Sequence, residues 1–226
     1  MTFRFWRWSV AGGGAAKVSL GLKVRARRQI SRAAVIAAAS VFLLTWVSCA
    51  STPAANRPET WAQPVEMAGV SNLYRVSGEL YRSEQPSPQG MQNLKDLGLK
   101  TVINLRSFHS DRDEIGDTGL AYEHIYMKAW HPEEEDVVRF LKIVTDPKRA
   151  PVLVHCQHGA DRTGTMIAVY RIAVQGWSKA AAIREMTEGG FGFHRIWSNL
   201  PKWVQELDID SLKRQAGIRS FTDQAN

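Results

Sequence analysis

The chain has 226 residues and a mass of 25.3 kDa, with 44% hydrophobic and 23% charged residues. That is enough for one ordinary core with appendages, and it excludes disordered, collagenous and multi-span membrane chains. The formal charge of +7 suggests a nucleic-acid binder until it is located. Residues 1–48 carry eight basic residues (Arg4, Arg7, Lys17, Lys23, Arg25, Arg27, Arg28, Arg32) and no acid. The remainder holds 21 basic and 22 acidic residues. The excess therefore belongs to a leader and says nothing about a nucleic-acid surface on the folded part.

In chain order, residues 1–48 read as a leader or export signal. Ala33–Val47 is a largely apolar run of fifteen behind a cluster of arginines, shorter than the ~20 residues of a spanning helix. It ends at Val47-Ser48-Cys49-Ala50, which resembles the lipobox of bacterial lipoproteins, with Trp46 where Leu is usual. The resemblance implies lipidation of Cys49. Arg27-Arg28-Gln29-Ile30 also resembles the start of a twin-arginine signal, and an uncleaved anchor is the competing reading. All of these place the chain outside the inner leaflet, exported and membrane-anchored, on the periplasmic face or the outer membrane of a bacterium. Residues 49–69, rich in Pro and Ala, read as a linker, residues 70–218 as the folded domain and residues 219–226 as a tail.

Within the domain, Leu73–Val76 and Leu80–Ser83 around Ser77-Gly78 predict a hairpin. Ser87 followed by Pro88 predicts the start of a helix that stops at Gly98. Thr101–Leu105 and Ala121–Met127 read as strands. Pro132 opens a helix whose Val137, Phe140, Leu141 and Val144 share one face, and Asp146-Pro147 ends it. Pro151–His155 is a continuous apolar strand, as expected at the centre of a sheet covered on both sides. Thr163–Gln175 is a buried helix closed by Gly176, Ser178 caps another that runs to Glu188, and a last helical stretch lies near Leu200–Leu207. The alternation predicts an α/β fold with a central, mostly parallel sheet flanked by helices.

The chemistry concentrates in His155-Cys156-Gln157-His158-Gly159-Ala160-Asp161-Arg162-Thr163-Gly164. A buried strand runs into a loop that ends at the start of a buried helix, a ready site for an anion. The fork of Arg162 can hold two oxygens of a phosphate, and a thiol in the same field is favoured as thiolate. Nucleophile and clamp thus share one cradle.

These residues resemble the signature of the cysteine-dependent protein tyrosine and dual-specificity phosphatases: Cys, five residues, Arg, then Ser or Thr. Tyr81-Arg82-Ser83-Glu84-Gln85-Pro86 and Asn104-Leu105-Arg106-Ser107 resemble entry segments of the bacterial and atypical dual-specificity members. The resemblance implies attack by Cys156 on phosphorus, a phosphocysteine intermediate, and a clamp by Arg162. It also implies that Thr163 stabilises the departing thiolate and that His155 orients the loop. Gln157, His158, Gly159 and Ala160 would complete the phosphate-binding loop. No metal or cofactor is implied. Partners would be a phosphorylated protein or a small phosphate ester, no nucleic acid, and the membrane through the N-terminus. Oligomeric state stays open.

Other readings are an inositol-phosphate or phospholipid phosphatase, a non-catalytic phosphate-binding module and a sulfur transferase; the Arg162-Thr163-Gly164 spacing argues against the last. Arg106 either binds phosphate or fixes the loop. Trp177, Trp197 and Trp203 read as packing residues, and His109, His124, His131 and His194 as scattered. The pattern departs from the family at the general acid, because many relatives carry a Trp-Pro-Asp loop roughly thirty residues before the nucleophile. Here Tyr126-Met127-Lys128-Ala129-Trp130 holds no acid. Asp161 is the favoured donor, with Glu133, Glu134, Glu135 and Asp136 as the alternative.

Overall fold

Every residue of Val152–His155, strand β6, is buried, as a run without polar alternation requires. The structure, a computed structural model, describes residues 57–218; the leader, Cys49 and the tail lie outside the described residues. The other strands are β1 (Gln63–Pro64), β2 (Tyr74–Arg75), β3 (Leu80–Ser83), β4 (Thr101–Asn104) and β5 (Ala121–His124). Their order in the sheet is β1-β2-β3-β6-β4-β5. β3, β6, β4 and β5 are mutually parallel, while β1 and β2 form an antiparallel edge.

Alternation along β6 divides the core. Val152 and Val154 pack on one side, and Leu153 on the other. The first side is covered by α3 (Glu134–Val144), α4 (Asp161–Ala173), α5 (Lys179–Glu188), α6 (Asn199–Glu206) and α7 (Ile209–Ala216). The second is covered by α1 (Pro88–Asp96) and the short α2 (Arg112–Ile115). The expected α/β architecture is thus the observed one. Ser87 and Ser178 accept hydrogen bonds from the backbone N–H of Gly90 and Ala181 at 3.1 and 3.2 Å, caps of the kind their sequence context predicts.

Several boundaries differ from the sequence reading. The folded part begins before residue 70. Gln63–Pro64 pairs with β2, and the fully buried Ala62 donates its N–H to Glu185 Oε1 at 2.7 Å. Backbone pairing holds this stretch, and pairing leaves no apolar period to read. The helix expected from Pro132 starts at Glu134, with Glu133 extended, because a bridge between Lys128 and His131 keeps the preceding turn. Helix α7 was not anticipated, although Asp208 caps it by accepting from the N–H of Ser211 at 3.0 Å and Gly217, at φ 73°, ends it.

Helix α4 meets α5 through a buried ion pair. Arg171 Nε and Nη2 donate to the two oxygens of Glu185 at 2.7 Å, and the guanidinium lies 4.3 Å from the ring of Trp177. Both side chains are about 2% exposed or less. Glu185 also receives the Ala62 N–H, so this pair ties the first edge of the fold to its helical layer. Breaking a buried pair from one side strands the other charge, which costs about 3–5 kcal/mol. Arg171→Met is therefore expected to lower unfolding free energy by about that amount in a urea titration, while Arg171→Met/Glu185→Met regains part of the loss.

Candidate active site

The register aligns Ser83 of β3, His155 of β6 and Asn104 of β4, so three parallel strands end at one level. The segments that follow them meet there, at the carboxyl edge where open α/β sheets hold ligands. They are Glu84-Gln85, Leu105-Arg106 and the loop from Cys156 to Ala160. That loop feeds straight into α4, whose N-terminus brings its positive dipole end to the same place.

The loop is held from three sides. On the first, His155 Nε2 lies 2.6 Å from Asp111 Oδ2, with both side chains fully buried. Asp111 Oδ1 accepts from Asn104 Nδ2 at 2.8 Å and Gln85 Nε2 at 3.1 Å. Asn104 Oδ1 accepts from the N–H of Arg106, and Arg106 Nη1 donates to Gln85 Oε1 at 3.0 Å. One carboxylate thereby ties together the residues that end two strands and the segment after a third.

On the second side, Asn72 Nδ2 donates to the carbonyls of His158 and Phe191, each at 2.9 Å. On the third, Gly159 rests on β3 at φ 66°, and a Cβ there would lie 2.4 Å from Ser83 O. Only glycine fits both the angle and the approach. Arg82 Nη2 donates to the Gly159 carbonyl at 2.5 Å from beneath the loop, with Phe191 stacked 3.6 Å from its guanidinium. Arg82 is fully buried, and its Nε and Nη1 have no partner among the described residues. Burial pushes its guanidinium down to about 10, against the raising influence of Glu185, Cys156 and Tyr74.

Cys156 is buried, 1% exposed, at the start of the loop. The loop residues after it open onto a cleft of about 480 Å³ lined by Gln157, His158, Asp161 and Arg162 from the loop and helix, and by Arg106, Trp130, His194 and Trp197 from the surroundings. Phe108 and Ile196 are also at its wall and are 92% and 80% exposed. Arg162 Nη1 donates to the Leu105 carbonyl at 3.3 Å, which braces the clamp against the end of β4. Thr163 is fully buried at the first turn of α4, and its hydroxyl has no partner among the described residues.

Of the residues singled out from the sequence, Arg106, Gln157, His158, Asp161 and Arg162 line the cleft, while His155, Cys156, Gly159, Ala160 and Thr163 belong to the strand end, loop and helix start beside it. Arg106 fixes its segment through the bond to Gln85 and also lines the cleft. Trp197 lines the cleft as well as packing on the core. His194, read as scattered, stands against Asp161: its backbone N donates to Oδ1 and its ring Nδ1 faces Oδ2, both at 2.8 Å. Glu133, Glu134, Glu135 and Asp136 do not line the cleft. Asp136 is half-buried, and burial, with Glu133 and Glu135 nearby, raises its carboxyl above the ordinary range. Glu123 is taken up by Arg149 and Arg139; burial opposes its ionisation, but their hydrogen bonds outweigh it and hold the carboxyl below the ordinary range. Arg82, Asp111 and His194 went unassigned in the sequence. Arg82 stands inside a recognised motif, whereas Asp111 and His194 join the site only through the fold.

A cysteine at the end of a central parallel strand, a six-residue step to an arginine at a helix start, and a closed glycine turn between them define a cysteine-dependent phosphatase. The family described as DSP-PTPase phosphatase fused to NAD+ kinase matches residues 63–197, and the chain belongs to that phosphatase family. The dual specificity protein phosphatase TpbA of Pseudomonas aeruginosa is 37% identical over 183 residues, 80% of this chain and 83% of that one. The crystal structure of TpbA has a TM-score of 0.64 to this chain at 36% identity, covering 72% of this chain and 99% of that one. TpbA has also been solved as a cysteine-to-serine variant in complex with phosphotyrosine. The catalytic core of SIW14 from Saccharomyces cerevisiae, a PP-IP phosphatase, has a TM-score of 0.59 at 26% identity, covering 67% and 94% of the two chains.

The environment of Arg82 separates activity from stability. Its charge is desolvated and only partly bonded, so replacing it with an apolar chain of similar length removes a burden from the fold. The same change removes the support of the Gly159 carbonyl. Arg82→Met is expected to keep or raise the melting temperature while lowering kcat/KM roughly ten- to a hundredfold, less than the ~10²–10³ of a donor that touches the reacting group. Thermal unfolding beside aryl phosphate kinetics reads both.

Proposed function

We propose that the chain hydrolyses phosphomonoesters of protein side chains, phosphotyrosine foremost, through a phosphocysteine at Cys156. The carrying observation is the unbroken run from the end of β6 through the buried Cys156 and its loop into α4, beside a cleft with exposed apolar side chains on its wall. Cys156 Sγ attacks phosphorus in line; the S–P bond forms as the ester P–O bond breaks. The guanidinium of Arg162 spans two equatorial oxygens, matching the transferring group better than a point charge can. His155, locked to Asp111, fixes where the loop begins. Water then attacks phosphorus, the S–P bond breaks, and the Thr163 hydroxyl, which has no partner among the described residues, is free to stabilise the departing thiolate. The departing ester oxygen takes a proton at the corner formed by Asp161 and His194. No metal or cofactor enters these steps.

Relatives named as inositol diphosphatases include SIW14 of yeast and DSP3 of Arabidopsis thaliana. A densely anionic substrate calls for several cations around the mouth. Among the described residues the cleft carries two arginines, and Phe108, Trp130 and Ile196 stand exposed around it. That balance favours an aromatic phosphate ester over an inositol pyrophosphate. The expected order of kcat/KM is phosphotyrosine peptide above phosphoserine peptide above inositol pyrophosphate. Cys156→Ser is expected to abolish turnover while retaining phosphopeptide binding, because the clamp outlives the nucleophile. Turnover that survives Cys156→Ser, or a preference for the inositol pyrophosphate, overturns the reading.

The leader supports a location. A basic segment, a fifteen-residue apolar run and Cys49 among small residues support export and lipid anchoring, with the phosphatase domain tethered outside the inner membrane through residues 50–56. A lipoprotein carries several acyl chains, each adding ~0.8 kcal/mol per buried CH₂. Cys49→Ala is accordingly expected to move the protein out of the membrane fraction with unchanged specific activity. An unchanged membrane fraction favours the uncleaved anchor.

A further inference from the structure

We propose that His194 is the proton donor to the leaving group and that Asp161 is the positioning carboxylate behind it, an inference that rests on the phosphocysteine reading above. Among the described residues, five titratable side chains line the cleft: Arg106, His158, Asp161, Arg162 and His194. The two arginines stay protonated and do not serve as acids. Asp161 is 6% exposed, and its two oxygens face two groups of one residue, the backbone N–H and the ring Nδ1 of His194, each at 2.8 Å. Each oxygen already accepts a hydrogen bond from His194, so a proton placed on the carboxyl competes with the contacts that hold it.

His194 has the complementary arrangement. Its side chain is 48% exposed on the cleft wall, and Nε2 makes no hydrogen bond to any described residue. With Nδ1–H given to the carboxylate, ring orientation is fixed and Nε2 is the atom that carries the exchangeable proton. The backbone is fixed too, since His194 O accepts from the N–H of Trp197 at 2.9 Å. In-line attack places the leaving oxygen opposite the Cys156 sulfur, and His194 lines the cleft together with Gln157 and His158, the two residues that follow this cysteine. His158 lies edge-on to it, with ring centroids 5.2 Å apart, but no described residue hydrogen-bonds the His158 ring to orient it. A donor needs both reach and orientation, and His194 has both.

The step balances as follows. As sulfur bonds to phosphorus and the P–O ester bond breaks, the electron pair left on the ester oxygen takes the Nε2 proton of the imidazolium, leaving neutral imidazole. In the second half, Nε2 takes a proton from water as the water oxygen attacks phosphorus. The S–P bond breaks, its electrons return to sulfur, and phosphate leaves with the imidazolium restored.

The test is a series of aryl phosphates of graded leaving-group acidity, turned over by the full chain. His194→Asn places an amide nitrogen near the position of Nδ1, so the bond to Asp161 is kept while the Nε2 proton is lost. Turnover of phenyl phosphate and a phosphotyrosine peptide is expected to fall roughly 10²–10⁴-fold, the usual worth of general acid catalysis. Dinitrophenyl phosphate, whose leaving group needs no proton, is expected to fall by about tenfold at most. His194→Gln, with its melting temperature recorded, repeats the comparison. Asp161→Asn is expected to steepen the same dependence less, and Asp136→Asn to leave it as in the wild type.

Parallel dependences for His194→Asn and the wild type overturn the proposal. So does a steep dependence for Asp161→Asn with a flat one for His194→Asn, which makes Asp161 itself the donor. Loss of activity to EDTA with restoration by zinc also overturns it, because it assigns His158, Asp161 and His194, whose ligand atoms lie within 4.8 Å of one another, to a metal. Cys156→Ser is the blank throughout. If the wild type shows no Cys156-dependent release of dinitrophenol, the phosphocysteine reading falls and takes the donor with it. Cys156-dependent release with parallel dependences removes only the donor.

Discussion

The hydrogen bond between His155 and Asp111 joins two groups with no access to water, and the phosphate-binding loop starts from it. A buried carboxylate is tolerable only when its oxygens are taken up, and Asp111 meets that condition by accepting from His155, Asn104 and Gln85. Those three residues come from different strand ends or the segments after them. The requirement to satisfy one carboxylate therefore sets the relative positions of β6, β4 and the stretch after β3. A loop that must greet an anion with fixed donors gains its rigidity from this, since a site that does not reorganise during reaction stabilises the transferring charge most.

Two buried arginines show how differently the same residue type is used. Arg171 has both carboxylate oxygens of Glu185 and a stacked Trp177, so its removal exposes the fold to an unpaired charge. Arg82 has one carbonyl and one aromatic ring, with two of its nitrogens unbonded to any described residue. A stability argument alone does not place it there. Its position beneath Gly159 does, because a positive charge under the loop adds to the field that the α4 dipole and Arg162 already supply around Cys156. Strain and unsatisfied donors of this kind gather at sites where function sets the terms.

What the sequence disclosed follows from what is local. The β6–loop–α4 sequence places Cys156, Arg162 and Thr163 within one unbroken run, so the three stood out together as candidates for nucleophile, clamp and supporting hydroxyl. The capped helices were legible for the same reason, each cap standing beside the backbone groups it serves. β1 was not, because two residues of an edge strand carry no periodicity and are ordered by partners ten residues away. Helix α7 had readable signals in Asp208 and Gly217 that the surrounding polar residues obscured. Asp111 sits 44 residues before His155 and His194 sits 33 after Asp161; no spacing rule links either pair, and only the parallel register and the turn after α5 bring them together.

The position of His194 also bears on how the site closes. A donor on a separate loop must travel to the substrate, and the ordering of that loop is part of each turnover. Here the carboxylate that orients the ring is the residue immediately before Arg162, so clamp and proton source rest on the first turn of one helix. The stretch around Trp130 is released from acid chemistry. It carries an exposed indole at the mouth instead, held by the hydrogen bond from Asn199 Nδ2 to the Ala129 carbonyl at 2.9 Å. In this chain the segment that in many relatives supplies the acid lines the cleft with an exposed indole, so under the proposed function it is a wall that the body of the substrate meets, and the apolar rim and the missing Trp-Pro-Asp sequence fall at the same place.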